Sequence, residues 1–237
     1  MANTAQVGQI DQVLNTGRIA YGKNGNKFYP MFASSSGYTV DKTVETEPLP
    51  TQAVAASTIV KSTTVDLTGV KQATFYIDHG RASTANFGTN GTVYELQVSQ
   101  KNTGNDTWRS IATFTCASTA CLAIAASADA AAAATSIVFT SGTSAPTAND
   151  LVFWANTTAA TASEWMRVKS VSGTASFAII DGLTNAQDSD TNIYTQAEHF
   201  IVTVDVSSIT RARVLVNNIA SGTTLAIYSR VACITEK

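Results

Sequence analysis

The chain holds two histidines, and each directly follows a carboxylate: Asp78-His79 and Glu198-His199. An acid beside an imidazole is raw material for general acid–base catalysis or for a metal site, provided a nucleophile or further ligands join it. Adjacent side chains on a strand point to opposite faces, so neither dipeptide is a dyad by itself. Position 79 follows one apolar alternation and position 199 precedes another, which predicts histidines at turns or on the surface. A metal site built from both histidines with Asp78 and Glu198 has no spacing to support it. Cysteine adds no ligand pattern. Cys116, Cys121 and Cys233 are odd in number, and the spacing of the first two matches no metal motif paired elsewhere. They read as buried free thiols, and a Cys116–Cys121 bridge would form only in an oxidising setting.

A second pair of acids sits inside a repeat. The run Val65-Asp66-Leu67-Thr68-Gly69-Val70 through Asp78 is echoed by Val204-Asp205-Val206-Ser207-Ser208-Ile209 through Asn217, aligned without a gap. Asp66 and Asp205 occupy the same place in the two copies. Paired carboxylates facing one cleft would serve glycoside hydrolysis, but nothing in the chain brings two acids together. An Asp ahead of Leu-Thr-Gly or Val-Ser-Ser has a simpler task, which is to accept a backbone N–H and hold the turn. That role explains its recurrence. The repeat is expected to form two strand–turn–strand hairpins, facing or neighbouring in one sandwich, with part of the intervening chain as an insertion.

Other chemistry is thin. The sequence has no phosphate-binding loop, nucleophile elbow, HExxH or EF-hand pattern. Gly88-Thr89-Asn90-Gly91 reads as a turn, because no helix bearing a lysine follows it. Asn90, Asn105 and Asn156 stand in N-x-Thr sequons that a chain rich in Asn and Thr produces by chance. Arg211 and Arg213 alternate on one strand face and read as a salt-bridged surface. Trp154, Trp165, Tyr94 and Tyr228 have the ring faces on which a sugar could stack, but nothing clusters them, and core packing accounts for them more simply. The expected catalytic, cofactor-binding and metal residues are therefore none, and no cofactor is expected.

The elements that carry these residues are strands. Of 237 residues, 44% are apolar and only 14% charged, with a net charge of −2. Such a chain has ample core, a surface of Ser, Thr, Asn, Gln and Ala, and no basic field for nucleic acid or anionic membrane. It holds no apolar run of about 20 residues to span a bilayer, and no charged-then-apolar leader opens it. Strands are predicted over 63–67, 73–78, 93–99, 108–114, 136–140, 150–155, 164–171, 175–180, 200–206 and 224–234, with a short helix or slack connector through the alanines of 123–134. Trp108, ahead of its strand, reads as a core or rim packer. Asn24-Gly25 marks a hairpin joining 18–21 to 27–31, and Pro48-Leu49-Pro50 reads as linker. The expected architecture is all-β. It comprises an N-terminal arm with a short hairpin over 1–57, a jelly-roll-like β-sandwich from 58–119 plus 196–237, and an inserted small β-barrel or β-subdomain over 120–195.

The closing unit Val204-Asp205-Val206-Ser207-Ser208-Ile209-Thr210-Arg211-Ala212-Arg213-Val214 resembles structural proteins of tailed-phage virions. Asp150-Leu151-Val152-Phe153 and Glu164-Trp165-Met166-Arg167-Val168-Lys169-Ser170-Val171-Ser172-Gly173 are similar to small β-modules of phage head and tail components. The resemblance covers roughly residues 60–237. It implies a non-enzymatic virion protein made in the host cytoplasm, such as a capsid decoration, cement or head-fibre component. Its implied partners are the major capsid protein or neck and tail components, and further copies of itself, with a trimer favoured. Nucleic acid and membrane are not expected partners. Tyr21, Phe28, Tyr29 and Phe32 are the expected docking contacts of the arm, since exposed aromatics make efficient anchors. The alternative function is a carbohydrate- or receptor-binding module of a tail or fibre.

Overall fold

The computed structural model describes residues 44–236 apart from 88–90, 141–144, 157–158, 174, 190 and 220–225, and the backbone of three strands within 20–39. The chain divides into two units, Met1–Val44 with Glu236–Lys237, and Glu45–Thr235. In the first, β1 (Ala20–Asn24) pairs antiparallel with β2 (Lys27–Ser34), from Ala20↔Met31 to Asn24↔Lys27, and β2 pairs with β3 (Gly37–Thr39). This is the ribbon expected around Asn24-Gly25, with one strand more. Tyr21 lies on β1, and Phe28, Tyr29 and Phe32 on β2; their side chains fall outside the described residues.

The second unit opens with β4 (Val44–Val54), β5 (Thr58–Lys61), β6 (Val65–Asp66), β7 (Gln72–Arg81), β8 (Thr92–Ser99) and β9 (Arg109–Thr115). There follow β10 (Ala123–Ala125), β11 (Ser136–Val138), β12 (Leu151–Trp154), β13 (Glu164–Ser172), β14 (Ser176–Ile179) and β15 (Asn192–Tyr194). The last three are β16 (Glu198–Asp205), β17 (Arg211–Asn218) and β18 (Ile227–Glu236). A four-stranded sheet, β16-β7-β18-β4, and a five-stranded sheet, β5-β17-β8-β9, share one core, with β6 also paired to β17. Ala73, Phe75 and Ile77 of β7, Tyr94 and Leu96 of β8, Val214 and Val216 of β17, and Val231 and Cys233 of β18 fill it. Alternation along each strand turns one face inward. The class is the expected all-β sandwich, and no helix among the described residues is long and apolar enough to cross a membrane.

Three local expectations change. Pro48-Leu49-Pro50 is not linker but part of β4, the outermost strand of its sheet. Proline is tolerated there because an edge strand has one row of groups without a ladder partner. Leu49 and Val54 seal the core, and the Pro48 carbonyl accepts the N–H of Thr63 at 2.8 Å. The compact unit accordingly begins at Glu45, and the arm boundary expected at 57 falls beyond β4. The alanine run makes no helix. Ile124, Ala126 and Ala130 are buried by strand and bridge pairing, and Ala133 turns the chain at φ 66°. Here tertiary contact overrides alanine's helix propensity.

The third change concerns the repeat. Each copy is an arch and not a hairpin, because its two strands lie in different sheets: β6 and β17 in one, β7 and β16 in the other. The copies meet about a local two-fold. Leu67 N–H donates to Thr210 O at 2.8 Å, and the equivalent Val206 N–H donates to Lys71 O at 2.9 Å. The strand pairings Asp66↔Arg211 and Gln72↔Asp205 are equivalent in the same way. Leu67, Val70 and Val206 plug this end of the core. Both aspartates hold their turns as expected, Asp66 Oδ1 accepting Thr68 N–H at 2.9 Å and Asp205 Oδ1 accepting Ser207 N–H at 3.0 Å. Gly69 takes φ 73°, which a glycine adopts without strain.

Strands β10 to β15 form a sheet of their own, ordered β10-β15-β12-β13-β14-β11. It curls until its first and last strands meet: Ala126 bridges Phe139, Ser127 N–H donates to Val138 O, and Thr140 N–H donates to Ala125 O. Trp154, Phe139, Phe177 and Val168 fill this small barrel, and Trp154 Nε1 donates to Thr191 Oγ1 at 2.6 Å. A separate apolar seam joins it to the sandwich. Phe153 stacks near Trp165 and Tyr228, with ring centroids 4.8 and 5.2 Å away. Its ring covers Gly80 so closely that a Cβ there would lie 2.4 Å from Phe153 Cγ.

Candidate functional site

Strands β7 and β16 run antiparallel with Asp78 opposite His199 and His79 opposite Glu198. The register therefore crosses the two acid–histidine dipeptides, which sequence spacing alone does not do. Each imidazole meets the other strand's acid, on opposite faces of the sheet. Both histidines lie within strands rather than at turns; His199 is exposed as expected, whereas His79 is 1% exposed, which corrects the surface assignment for that residue alone.

On the outward face, Asp78 joins an imidazole and a guanidinium. His199 Nδ1 lies 2.5 Å from Asp78 Oδ1, and Arg230 Nε donates to Asp78 Oδ2 at 2.6 Å. The Arg230 guanidinium carbon also stands 5.5 Å from the Trp165 ring centroid. Asp78, His199 and Arg230 line a groove of about 750 Å³ together with Glu45, Glu47, Tyr76 and Ile201. The three-group constellation orients an imidazole, as an acid–base pair requires.

The inward face is built differently. His79 Nδ1 meets Tyr94 Oη at 3.1 Å, and the two rings pack edge to face. Burial, with the Arg81 charge nearby, depresses the His79 pKa from 6.5 to about 3, so the ring is neutral. Burial also raises the Tyr94 phenol well above its usual range. Cys116, just past β9, places its thiol near the Glu198 carboxylate. Burial first, then the neighbouring Glu198 carboxylate, push that thiol far up, so Cys116 is no nucleophile here. Glu198 in turn accepts Ala117 N–H at 3.2 Å. Arg81, fully buried at the end of β7, donates to the carbonyls of Thr119, Ala117 and Ala85 and to Gln196 Oε1. Its guanidinium carbon lies 3.9 Å from the Phe87 ring centroid.

Other residues singled out in the sequence fall into structural places. All three cysteines are buried and free, as expected. Trp154, Tyr94 and Tyr228 are buried in apolar cores, and Trp165 donates its Nε1–H to His79 O at 3.0 Å. Arg211 and Arg213 do not form the expected salt-bridged surface. They stack on Trp108, at 4.5 and 4.1 Å from its ring centroid, and Arg213 also bonds Gln97. Sequence reading missed Arg81, Arg230 and the place of Cys116. The one signal that bore on them was the repeat, whose two-fold pairing continues into the register that crosses the dipeptides.

No family model matches this chain, and no curated protein does. Among solved structures, it is faintly similar to the infectious bursal disease virus VP2 subviral particle, at TM-score 0.22 and 6% identity across 93% of this chain. The chain spans about half of that one, 47% of its length. It is also faintly similar to VP17, a capsid protein of bacteriophage P23-77, at TM-score 0.19 and 10% identity, covering 84% of this chain and 97% of the other. At such scores the likeness transfers neither protein's assembly to this one.

Proposed function

We propose that the chain is a non-enzymatic virion structural protein, a capsid decoration, cement or head-fibre component that docks through its N-terminal segment and self-associates, as a trimer. The observation that carries this reading is the surface. Charged residues are 14% of the chain, and the sheets leave large apolar side chains open, with Ile201 63%, Ile59 58% and Ile111 44% exposed. Apolar, charge-poor faces bury against copies or a shell with little desolvation of ions, and many weak contacts multiply through valency. Tyr21, Phe28, Tyr29 and Phe32 are the contacts assigned to the docking segment. A carbohydrate-binding role has less support, because Trp154, Tyr94 and Tyr228 are buried and leave a sugar no clustered platform.

The test is solution mass by light scattering, for the full chain and for a chain lacking residues 1–43, which spares β4. An oligomer that the truncation dissociates supports the reading. A monomer indifferent to truncation would sink it and bring glycan screening forward.

A further inference from the structure

His79 on β7, Cys116 after β9 and Glu198 on β16 each offer one donor atom, and the three atoms lie within 4.8 Å of one another. An imidazole nitrogen, a thiol sulfur and a carboxylate oxygen form a mixed set that zinc takes readily, at bond lengths of roughly 2.0–2.3 Å. A second observation points the same way. His79 Nε2 is buried without a hydrogen-bond partner, in a residue only 1% exposed. A buried nitrogen in that state needs an explanation. Its ring is held from the other side by Tyr94 Oη at 3.1 Å. A histidine anchored through one ring nitrogen, with the other left unpartnered, is oriented as metal-ligating histidines are.

We propose that His79, Cys116 and Glu198 bind one divalent transition-metal ion, zinc by donor chemistry, with solvent in the remaining position. Binding breaks the Cys116 S–H bond and forms the metal–thiolate bond, and the proton leaves to solvent. The thiolate and the Glu198 carboxylate then balance the two positive charges of the ion. Arg81, the cation nearby, is tied to the carbonyls of Ala117 and Thr119. Glu198 is only half-buried, so an ion enters from its side. The ion would fasten the end of β9, in the five-stranded sheet, to β7 and β16 in the other. Sequence spacing predicts no metal here, because the third ligand comes from a strand end far from either histidine.

The test uses the full chain, stripped with chelator and titrated with cobalt(II) and then zinc. The expected result is one equivalent of cobalt with a thiolate-to-metal charge-transfer band, displaced by zinc, and a higher thermal midpoint with zinc than without. Cys116→Ser should abolish the band. Glu198→Gln, at a half-exposed position that leaves the fold intact by circular dichroism, should keep the band and weaken zinc affinity roughly tenfold or more. No band and no zinc-induced thermal shift in the folded chain would overturn the site. So would a band that survives Cys116→Ser, which would assign it to Cys121 or Cys233, or zinc affinity unchanged by Glu198→Gln.

Discussion

Asp78 and His199 stand on the outward face of the β7–β16 pair, and Glu198 and His79 stand one ladder step away on the inward face. Each face thus carries one acid and one imidazole, and the surroundings make them unlike. Outside, the Asp78 carboxylate is itself only 5% exposed but is paired with His199 and Arg230, whose side chains are 33% and 42% exposed, so water reaches that side of the cluster. Inside, the imidazole is stripped of water and neutral, the thiol keeps its proton, and Arg81 is held by carbonyl oxygens. Register decides which groups meet, while depth decides their chemistry. A polar cluster closed off from water on every side is costly to disturb, whereas an ion pair whose partner side chains reach solvent contributes less.

That contrast can be broken by substitution. Arg81→Met takes the donor from several carbonyls at once, each orphaned acceptor costing roughly 1–3 kcal/mol, and should destabilise the fold by about 3–5 kcal/mol in urea unfolding. A loss under about 1 kcal/mol would mean water reaches the inner cluster. Gly80→Ala, on the outward face but beneath Phe153, should cost about 1–3 kcal/mol, because its Cβ would sit 2.4 Å from the ring. A Phe153→Leu background should recover part of that loss, and a neutral result would show that the barrel seam gives way freely.

Acid sharpens the comparison next. His79 is neutral when folded down to about pH 3 but titrates near 6.5 when unfolded. Between those values the unfolded chain binds more protons. In chelated protein, stability should therefore fall as pH drops from 6.5 toward 3, by up to about 1.4 kcal/mol per pH unit. Denaturation midpoints across that range should show a slope that His79→Gln reduces. A slope unchanged by His79→Gln would show that water reaches the inner imidazole. The smallest effect belongs to Arg230→Ala, about 1 kcal/mol, since the buried Asp78 carboxylate keeps His199 and the guanidinium is partly exposed.

Much of the fold was legible in local pattern. Local pattern marks β7, β8 and β16 near their true bounds, and the second strand of the repeat falls on β17. The Val-Asp-apolar-Ser/Thr unit marks two equivalent turns, each held by its aspartate. What failed were places where a distant partner outvotes local preference. Pro48 and Pro50 look like linker residues until β18 supplies a sheet for β4 to edge. The alanines look helical until Phe139 and Gln187 supply bridges to Ala126 and Ala130. The strand–turn–strand repeat looks like a hairpin, because nothing local distinguishes a turn within one sheet from an arch between two.

The amino-acid sequence by itself determined the all-β class, the turn chemistry of Asp66 and Asp205, the buried free thiols and the poverty of charge. These follow from side-chain type and short-range spacing. Only the tertiary structure decided that Asp78 meets His199, that Glu198 meets His79, and that Cys116 joins them across the sandwich. The physical reason is that antiparallel register couples residues more than a hundred positions apart. Which of two adjacent side chains is buried depends on the opposite sheet, which a dipeptide does not encode.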